Sequence, residues 1–358
     1  MTEQALILHE IRQNLGMITI NRPRALNALS GPMLAEIDCL LVEFEADSRV
    51  SAVLIHGAGE RGLCAGGDIV ALYHLMDSDQ ETAQEYFRIE YSLNYRISQF
   101  SKPYIAIMDG IVLGGGMGVS AHGSHRVVTE NSRIGMPETG IGFSPDIGGL
   151  KLLSAVPDEV GTMMAMTGKQ ISGADALWAG LADYFVPSEK LEELTKALEA
   201  ATDANSVDAI IAKFHQSPPE SPLSENTSWI NTAFAGDSAE EIHDAVAAHA
   251  SASAHGSELA AELLQALEHN SPTGIKMALY GIRKAKNSTL AQTLNTDLVV
   301  TVNSMRGHDL REGIRAQVID KDRNPQWQPA TLAAVEECYA ASFFEAPHDL
   351  APLGLPSA

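Results

Sequence analysis

Hydrophobic and polar positions follow two alternating patterns in the first half of the chain. Short runs rich in Val, Ile and Tyr predict β-strands at Gly16–Ile20, Val50–His56, Tyr104–Met108 and Arg126–Thr129. Apolar residues recur at helical spacing in Met33–Phe44, Thr82–Gln99 and Gly148–Val156. This alternation predicts an α/β architecture, although the pattern alone does not separate a doubly wound sheet from a spiral of ββα units.

Beyond Pro187 the pattern becomes almost entirely helical. Lys190–Ala201 and Glu258–His269 are rich in Ala, Leu and Glu, which are strong helix formers, and Ser188 and Ser257 are predicted N-caps. The proline-containing stretch Ser217–Asn226 predicts a loop. We therefore expect a catalytic α/β core over residues 1–190, a helical lobe over 191–345 and a frayed, proline-rich tail over 346–358.

Composition narrows the classes of partner. The net charge of −22 argues against nucleic-acid binding, which needs clustered Lys and Arg, and the absence of a long apolar run argues against a membrane partner. The three cysteines are scattered, and the first residues include early acids and no basic lead-in, so we expect a reducing, cytoplasmic setting without a signal peptide. A homo-oligomer and a monomer both stay open.

The chemistry is expected at two glycine turns and two acids. Gly114, Gly115 and Gly116 follow one predicted strand, and CAGGD (Cys64–Asp68) follows another apolar run. Such turns can present two backbone N–H donors to one developing negative charge. Glu138 and Asp146 lie eight residues apart in glycine- and proline-rich loops. Together these parts suit thioester or carbonyl chemistry, although tight turns and solvated loop carboxylates are common without any function.

Cys64 lies inside the first glycine turn and has two interpretations. We expect it to be a small apolar filler, as buried free cysteines generally are. A nucleophilic thiol would need a neighbouring base, and the sequence identifies none.

These segments resemble the crotonase (enoyl-CoA hydratase/isomerase) superfamily. The resemblance runs from about Leu6 to about Pro329, and its motifs occur in the family's order. They are INRPRALNALS, CAGGD, GGG, MPETGIGFSPDIGG, SPTGIKMAL, MRGHDLREGIRA and IDKDRNPQW. The resemblance implies an α/β crotonase-like spiral of ββα units followed by a C-terminal helical lobe.

The resemblance also implies roles for individual residues. Glu138 and Asp146 would be catalytic, and the amides of Gly67 and Gly115 would form the oxyanion hole. The expected contacts to substrate or CoA are Arg24, Ala65, Gly66, Asp68, Ile69 and Gly114. Arg22, Arg24 and Arg61 are candidates for the CoA phosphates, and Asp68 is also a predicted helix cap. No metal and no cofactor is expected, since coenzyme A enters as part of the substrate.

Gly118 points to one branch of the superfamily. Enoyl-CoA hydratases carry a second glutamate at this position, and they carry glycine where this chain has Asp146. The motifs are more similar to hydrolases of short 3-hydroxyacyl-CoA thioesters, with 3-hydroxyisobutyryl-CoA from valine breakdown as the first candidate substrate. Glu138 would attack the thioester directly or activate a water. A hydratase or isomerase and a non-catalytic acyl-CoA-binding protein are the alternatives.

Overall fold

The computed structural model describes residues 5–356 and contains nine short strands in that range. They are β1 (Ile7–Arg12), β2 (Leu15–Ile20), β3 (Ala52–Gly57), β4 (Tyr104–Met108), β5 (Ile111–Leu113), β6 (His125–Val128), β7 (Arg133–Gly135), β8 (Ile171–Ser172) and β9 (Tyr184–Phe185). All four predicted strands are present, and their ends differ from the prediction by two residues at most.

The strands form two sheets. The larger has the order β1-β2-β3-β4-β6-β9, in which only the β1–β2 pair is antiparallel. The smaller has the order β5-β7-β8. Parallel strands are covered on both faces, which explains why β4 is apolar and buried at every position and reads as a continuous apolar run.

Helices dominate the remainder of the chain. Those before residue 180 are α1 (Gly31–Ala46), α2 (Ile69–Ser78), α3 (Gln80–Ser98), α4 (Gly115–Gly118), α5 (Gly149–Ser154), α6 (Val160–Thr167) and α7 (Gly173–Trp178). Those after it are α8 (Leu191–Leu198), α9 (Ala204–Phe214), α10 (Pro222–Phe234), α11 (Ala239–Ser251), α12 (Ser257–His269), α13 (Pro272–Ala285), α14 (Leu290–Arg306), α15 (Asp309–Ile314) and α16 (Glu337–Ser342). Among residues 5–356, no helix is both long and apolar enough to cross a membrane.

Two predicted caps and part of one predicted loop are wrong. Ser257 is the first residue of α12, whose N-cap is Gly256 in the left-handed conformation. Ser188 opens a short 3₁₀ turn that precedes α8, so Lys190 is the N-cap of that helix. The loop predicted to end at Asn226 ends earlier, because Pro222 begins α10 at a position where its missing N–H costs nothing.

The chain forms two compact units that alternate along the sequence. Unit 1 consists of residues 5–68, 89–134 and 171–221, and unit 2 of residues 69–88, 135–170 and 222–356. The predicted boundary at residue 190 divides the chain by its secondary-structure content and stays a prediction. The two units do not divide at residue 190, because residues 69–88 and 135–170 belong to the same unit as the C-terminal helices.

The core of unit 1 lies between the large sheet and two helices. Leu54, Ile105 and Ile107 point from the central strands toward Leu194 of α8 and Ile211 of α9, and all five are buried. Burying a side chain of this size stabilises the fold by about 1.5–3 kcal/mol. This packing fixes the strands whose ends lead into the glycine turns.

A buried lysine ties together the helices of unit 2. Lys276 of α13 is 4% exposed, and its Nζ donates to Glu240 Oε1 (2.7 Å), Glu337 Oε1 (2.8 Å) and the Val335 carbonyl (2.8 Å). Burial opposes the charge, but the hydrogen bonds to Glu240 and Glu337 raise the pKa of Lys276 overall. The ammonium therefore links α13 to α11 and to α16.

We expect Lys276→Met to lower the free energy of unfolding by about 2 kcal/mol, because it leaves the Val335 carbonyl and two carboxylates without their donor. Urea unfolding followed by circular dichroism measures the change. Lys284→Met is the matched control, since Lys284 lies on the same helix and is exposed. Equal losses in the two variants would contradict the role of the buried ammonium.

Candidate active site

The first glycine turn is held by backbone hydrogen bonds to the segment before α1. Ala65 donates to the Leu26 carbonyl (3.0 Å), Leu29 donates to the Gly66 carbonyl (3.0 Å), and Asp68 donates to the Leu29 carbonyl (2.8 Å). Gly66 has φ +117°, a conformation that L-residues rarely adopt. The turn therefore needs glycine at this position, and its direction is fixed by residues 26–29.

Asn27 binds the segment that leads into the same turn. It is buried with φ +57°, and its Nδ2 donates to the carbonyls of Ala58 and Gly62 at 3.0 Å each. Its Oδ1 accepts from the Arg22 amide at 2.9 Å. Asparagine tolerates this backbone conformation and bonds to nearby main chain. The INRPRALNALS motif thus serves to position the CAGGD turn.

The second glycine turn lies directly against the first. Leu113 donates to the Cys64 carbonyl (3.0 Å) and Cys64 donates to the Ile111 carbonyl (3.1 Å), so β5 runs beside the CAGGD segment. Gly114 then turns the chain with φ +49°, and α4 begins at Gly115. A methyl group built on Gly115 would lie 3.2 Å from the amide nitrogen of Gly67. Gly67 and Gly115 are therefore immediate neighbours.

The amides of these two glycines are available to a ligand. Within residues 5–356, neither the Gly67 nor the Gly115 amide nitrogen donates a hydrogen bond. Gly115 is the first residue of a helix, where intrahelical acceptors are lacking. Two adjacent N–H groups without acceptors are suited to an anionic or carbonyl oxygen.

Cys64 is a packing residue, as expected. It is fully buried, its Sγ lies 3.3 Å from the Gly66 amide nitrogen, and burial raises the pKa of its thiol to about 12. A thiol with this pKa carries almost no thiolate near neutral pH. Full burial and the raised pKa of the thiol both disfavour the nucleophilic alternative for Cys64.

Two buried polar side chains of α3 face the second glycine turn and were missed in the sequence. Glu90 is 3% exposed, and a methyl group on Gly115 would lie 2.6 Å from its Oε1. Asn94 follows one helical turn later, and a methyl group on Gly118 would lie 2.8 Å from its Nδ2. The sequence signal that could have identified them is their spacing, because positions 90 and 94 lie on the same apolar helix face as Phe87 and Tyr91.

The first predicted catalytic acid begins a short 3₁₀ turn in unit 2. Glu138 is the first residue of the turn Glu138–Ile141 and is 6% exposed. Its Oε2 has no hydrogen-bond partner within residues 5–356. Thr139 holds the turn, since its carbonyl accepts from the Ser271 amide (3.0 Å) and its Oγ1 from Asn270 Nδ2 (2.9 Å). The SPTGIKMAL motif therefore anchors the acid.

Helix α15 closes on the same turn by close backbone contact. A methyl group on Gly142 would lie 2.2 Å from the Asp309 carbonyl, and one on Gly313 would lie 2.2 Å from Ile141. Asp309 in turn accepts from Ser271 Oγ (2.6 Å) and from the Gln328 amide (2.9 Å). The motif MRGHDLREGIRA thus supports the backbone that carries Glu138.

The second predicted acid lies beside the first. Asp146 is 7% exposed and is followed by a turn in which Ile147 and Gly148 both have positive φ. Burial, and then the charge of Asp146, raise the pKa of Glu138 well above its usual range. The two carboxyl groups therefore form one coupled titrating pair, in which ionisation of one opposes ionisation of the other.

The predicted CoA-contacting residues do not all stay free. Arg22 Nη1 pairs with Asp68 Oδ2 at 2.6 Å, and Arg61 donates to the carbonyls of Pro23 and Arg24. Arg24 is exposed, and within the described residues its guanidinium has no assigned partner. Ala65 and Ile69 flank the first glycine turn. Of the three arginines, Arg24 is the most available for a phosphate.

An open cavity of unit 1 lies away from the predicted site residues. It has a volume of about 1150 Å³, is lined by residues such as Glu10, His56 and Lys196, and includes none of the predicted site residues. No group of three or more potential metal ligands occurs among the described residues. Neither finding adds a residue to the site.

Comparison with known proteins identifies relatives over nearly the whole chain. The enoyl-CoA hydratase/isomerase family model matches residues 15–344. The rat protein named 3-hydroxyisobutyryl-CoA hydrolase, mitochondrial, is 38% identical over 96% of this chain and 90% of its own length. The human protein of that name is 37% identical over 92% of this chain and 86% of its own length.

Solved structures with the same fold carry different functional names. A carnitinyl-CoA dehydratase from Mycobacterium thermoresistibile is 43% identical, with a TM-score of 0.90 over 97% of this chain and 98% of that one. An enoyl-CoA hydratase from Rhodobacter sphaeroides 2.4.1 is 35% identical, with a TM-score of 0.88 over 96% and 98% of the two chains. These similarities confirm the predicted crotonase fold with its C-terminal helical region.

Proposed function

The chain belongs to the enoyl-CoA hydratase/isomerase family, and from that premise we propose that it is a hydrolase of acyl-CoA thioesters that converts 3-hydroxyisobutyryl-CoA and water to 3-hydroxyisobutyrate and CoA. The acyl group is supported by relatives at 37–38% identity that are named for this reaction. The observation that carries the chemistry is the pair of neighbouring amides at Gly67 and Gly115, neither of which donates a hydrogen bond within residues 5–356.

The amides would bind the thioester oxygen. When water or a carboxylate attacks the carbonyl carbon, that oxygen gains negative charge, and two preorganised N–H donors stabilise it more strongly than they stabilise the ground-state carbonyl. A donor of this kind is worth about 10²–10³ in rate. The geometry supports an oxyanion hole at Gly67 and Gly115, with Gly66 and Gly114 supplying the turns.

The two acids would supply the nucleophile. In one route Glu138 takes a proton from water, the water oxygen attacks the carbonyl carbon, the C–S bond breaks, and the CoA sulfur receives a proton. In the other, Glu138 attacks directly to give a mixed anhydride, which water then hydrolyses. Asp146 holds the second charge or proton in either route. Burial of both acids supports their use as a coupled pair.

Other residues near the first glycine turn would contact the CoA part of the substrate. Arg24 would meet a CoA phosphate, while Ala65, Asp68 and Ile69 would line the path of the substrate beside the first turn. Coenzyme A enters only as part of the substrate. The rat and human relatives are named as mitochondrial, whereas the composition of this chain favours a cytoplasmic setting. Valine breakdown would supply the substrate.

Hydration of an enoyl-CoA is the second candidate. The names of the two structural neighbours favour it, and Glu90 beside Gly115 offers a carboxylate in unit 1. Against it, position 118 is glycine, and a methyl group there would already lie 2.8 Å from Asn94 Nδ2. The glutamate that hydratases place at this position has no room without displacement of Asn94.

A panel of acyl-CoA substrates separates the candidates. We expect purified protein to release free CoA thiol from 3-hydroxyisobutyryl-CoA, faster than from acetyl-CoA or butyryl-CoA, and to leave the double bond of crotonyl-CoA intact. Rapid loss of the enoyl absorbance without thiol release would establish the hydratase instead. Binding of all these thioesters without any reaction would indicate a non-catalytic protein.

The pH dependence of hydrolysis provides a test of the acid pair. If Glu138 acts in its ionised form, activity rises as pH rises through its elevated folded-state pKa. Asp146→Asn removes a neighbouring negative charge, lowers the pKa of Glu138, and should move the acidic limb of kcat to lower pH. Asp158→Asn, an exposed acid of the same unit, should leave the limb in place. An upward or absent shift in Asp146→Asn would contradict the coupling.

A further inference from the structure

An aspartate in the middle of α14 is buried although it belongs to neither glycine turn nor the catalytic pair. Asp297 is 3% exposed, and its Oδ2 accepts a hydrogen bond from the Gly148 amide at 2.7 Å. Carboxyl groups are rarely buried unless a specific interaction holds them there. This bond joins residues that are 149 positions apart in the sequence.

The turn that receives this hydrogen bond is conformationally unusual. Ile147 has φ +53° and is buried, although a β-branched residue strongly disfavours that backbone region. Gly148 follows with φ +72°, and the Gly149 amide returns to the Asp146 carbonyl at 2.6 Å. Such a conformation persists only where surrounding contacts determine it, and it concentrates near functional residues.

We propose that Asp297 is a positioning residue for the reaction: its carboxyl group holds the Ile147–Gly148 turn through the Gly148 amide and thereby fixes Asp146 beside Glu138. This inference rests on the proposed function of the acid pair. Asp297 acts through Asp146 and has no direct part in bond making or breaking. All five residues lie in unit 2.

The electrostatics of the site agree with this assignment. Burial raises the pKa of Asp297 well above its usual range, and the charge of Asp146 raises it further, while the Gly148 amide opposes both. A neutral carboxyl still accepts a hydrogen bond through its carbonyl oxygen, as an asparagine side chain does. The acceptor is therefore the essential feature.

A variant series on α14 tests the positioning role. With 3-hydroxyisobutyryl-CoA as the probe, Asp297→Ala should lower kcat about tenfold or more with KM changed less than about threefold. Asp297→Asn retains the acceptor and should keep kcat within about threefold of wild type. Thr296→Ala is the matched control, because within residues 5–356 the Thr296 hydroxyl bonds only inside its own helix, to the Gln292 carbonyl.

A double-mutant cycle distinguishes positioning from general support of the fold. Because Asp297 acts through Asp146, Asp297→Ala should cause little further loss in an Asp146→Asn background. Additive losses, an Asp297→Asn variant as impaired as Asp297→Ala, or a wild-type kcat in Asp297→Ala would each overturn the proposal. If Asp297→Ala does not fold, Asp297→Glu, which displaces the acceptor by one methylene, replaces it in the same cycle.

Different results would refute the proposed function and the positioning role of Asp297. A wild-type protein that releases no thiol from any acyl-CoA refutes the proposed function. A wild-type protein that hydrolyses the thioester, together with an Asp297→Ala variant that keeps the wild-type kcat, refutes only the positioning role.

Discussion

Replacement of Glu138 by glutamine should lower the turnover of thioester hydrolysis by about 10³-fold. Glutamine keeps the shape of the side chain but can neither accept a proton from water nor attack a carbonyl carbon, and such groups contribute about 10²–10⁴ in rate. Binding of the substrate should survive, because the amides of Gly67 and Gly115 belong to other elements. Stopped-time assays of thiol release measure kcat, and titration with a non-hydrolysable CoA thioether measures affinity.

The same substitution should make the protein more stable near neutral pH. The folded-state pKa of Glu138 is raised, so its stabilising contribution is present below its unfolded pKa and is lost as pH rises through the folded pKa. At higher pH the folded wild type must either hold a buried negative charge or bind a proton that the unfolded chain has released, and both lower its stability relative to the unfolded state. Glutamine has neither cost because it does not ionise. We expect the Tm difference to grow as pH rises from about 4.5, the ordinary value for glutamate.

Opposite effects on turnover and stability identify a functional acid. Glu258→Gln is the control, because Glu258 is exposed on α12 and should change neither quantity. Glu138→Gln with near wild-type kcat would exclude Glu138 from catalysis. A large fall in Tm would instead show that the lost activity came from lost structure.

Replacement of Gly115 by alanine should lower kcat/KM for hydrolysis by about 10²-fold. The added methyl group would lie 3.2 Å from the Gly67 amide nitrogen and 2.6 Å from Glu90 Oε1. It would therefore occupy the space in which the thioester oxygen meets the two N–H donors, and loss of one such donor costs about 10²–10³ in rate. The measurement is kcat/KM for 3-hydroxyisobutyryl-CoA.

Gly118→Ala controls for crowding of the helix. Gly118 lies on the same short helix α4, and its added methyl would meet Asn94 Nδ2 of α3 at 2.8 Å. It therefore introduces a comparable contact with the same neighbouring helix, one turn away from the amide pair. We expect Gly118→Ala to keep most of the activity. Equal losses in the two variants would show that α4 tolerates no side chain and would remove the support for an oxyanion hole.

The parts of the structure that the sequence predicted are those determined locally or by shared motifs. Continuous apolar runs marked β3 and β4 because parallel strands are buried on both faces. The glycine turns were visible because conformations such as φ +117° at Gly66 need glycine. The roles of Glu138 and Asp146 came from the family resemblance, and the catalytic roles themselves stay predictions.

The supporting residues were missed because they act across long sequence separations. Asp297 lies 149 residues from Gly148, whose amide it accepts from, and Gly313 of α15 contacts Ile141, which is also remote in the sequence. No local pattern encodes such a pairing. Glu90 was also missed, but it could have been predicted to be a buried acid, because it is a charged residue within the apolar stripe of α3. The cap errors at Ser188 and Ser257 arose because serine also occurs at the first helical positions.

The most direct test of the account is simultaneous measurement of thiol release and enoyl absorbance with wild-type protein and 3-hydroxyisobutyryl-CoA or crotonyl-CoA. We predict stoichiometric release of CoA from the hydroxyacyl thioester, dependent on Glu138, with the absorbance of crotonyl-CoA unchanged. Hydration of crotonyl-CoA without release of CoA from either substrate would contradict it.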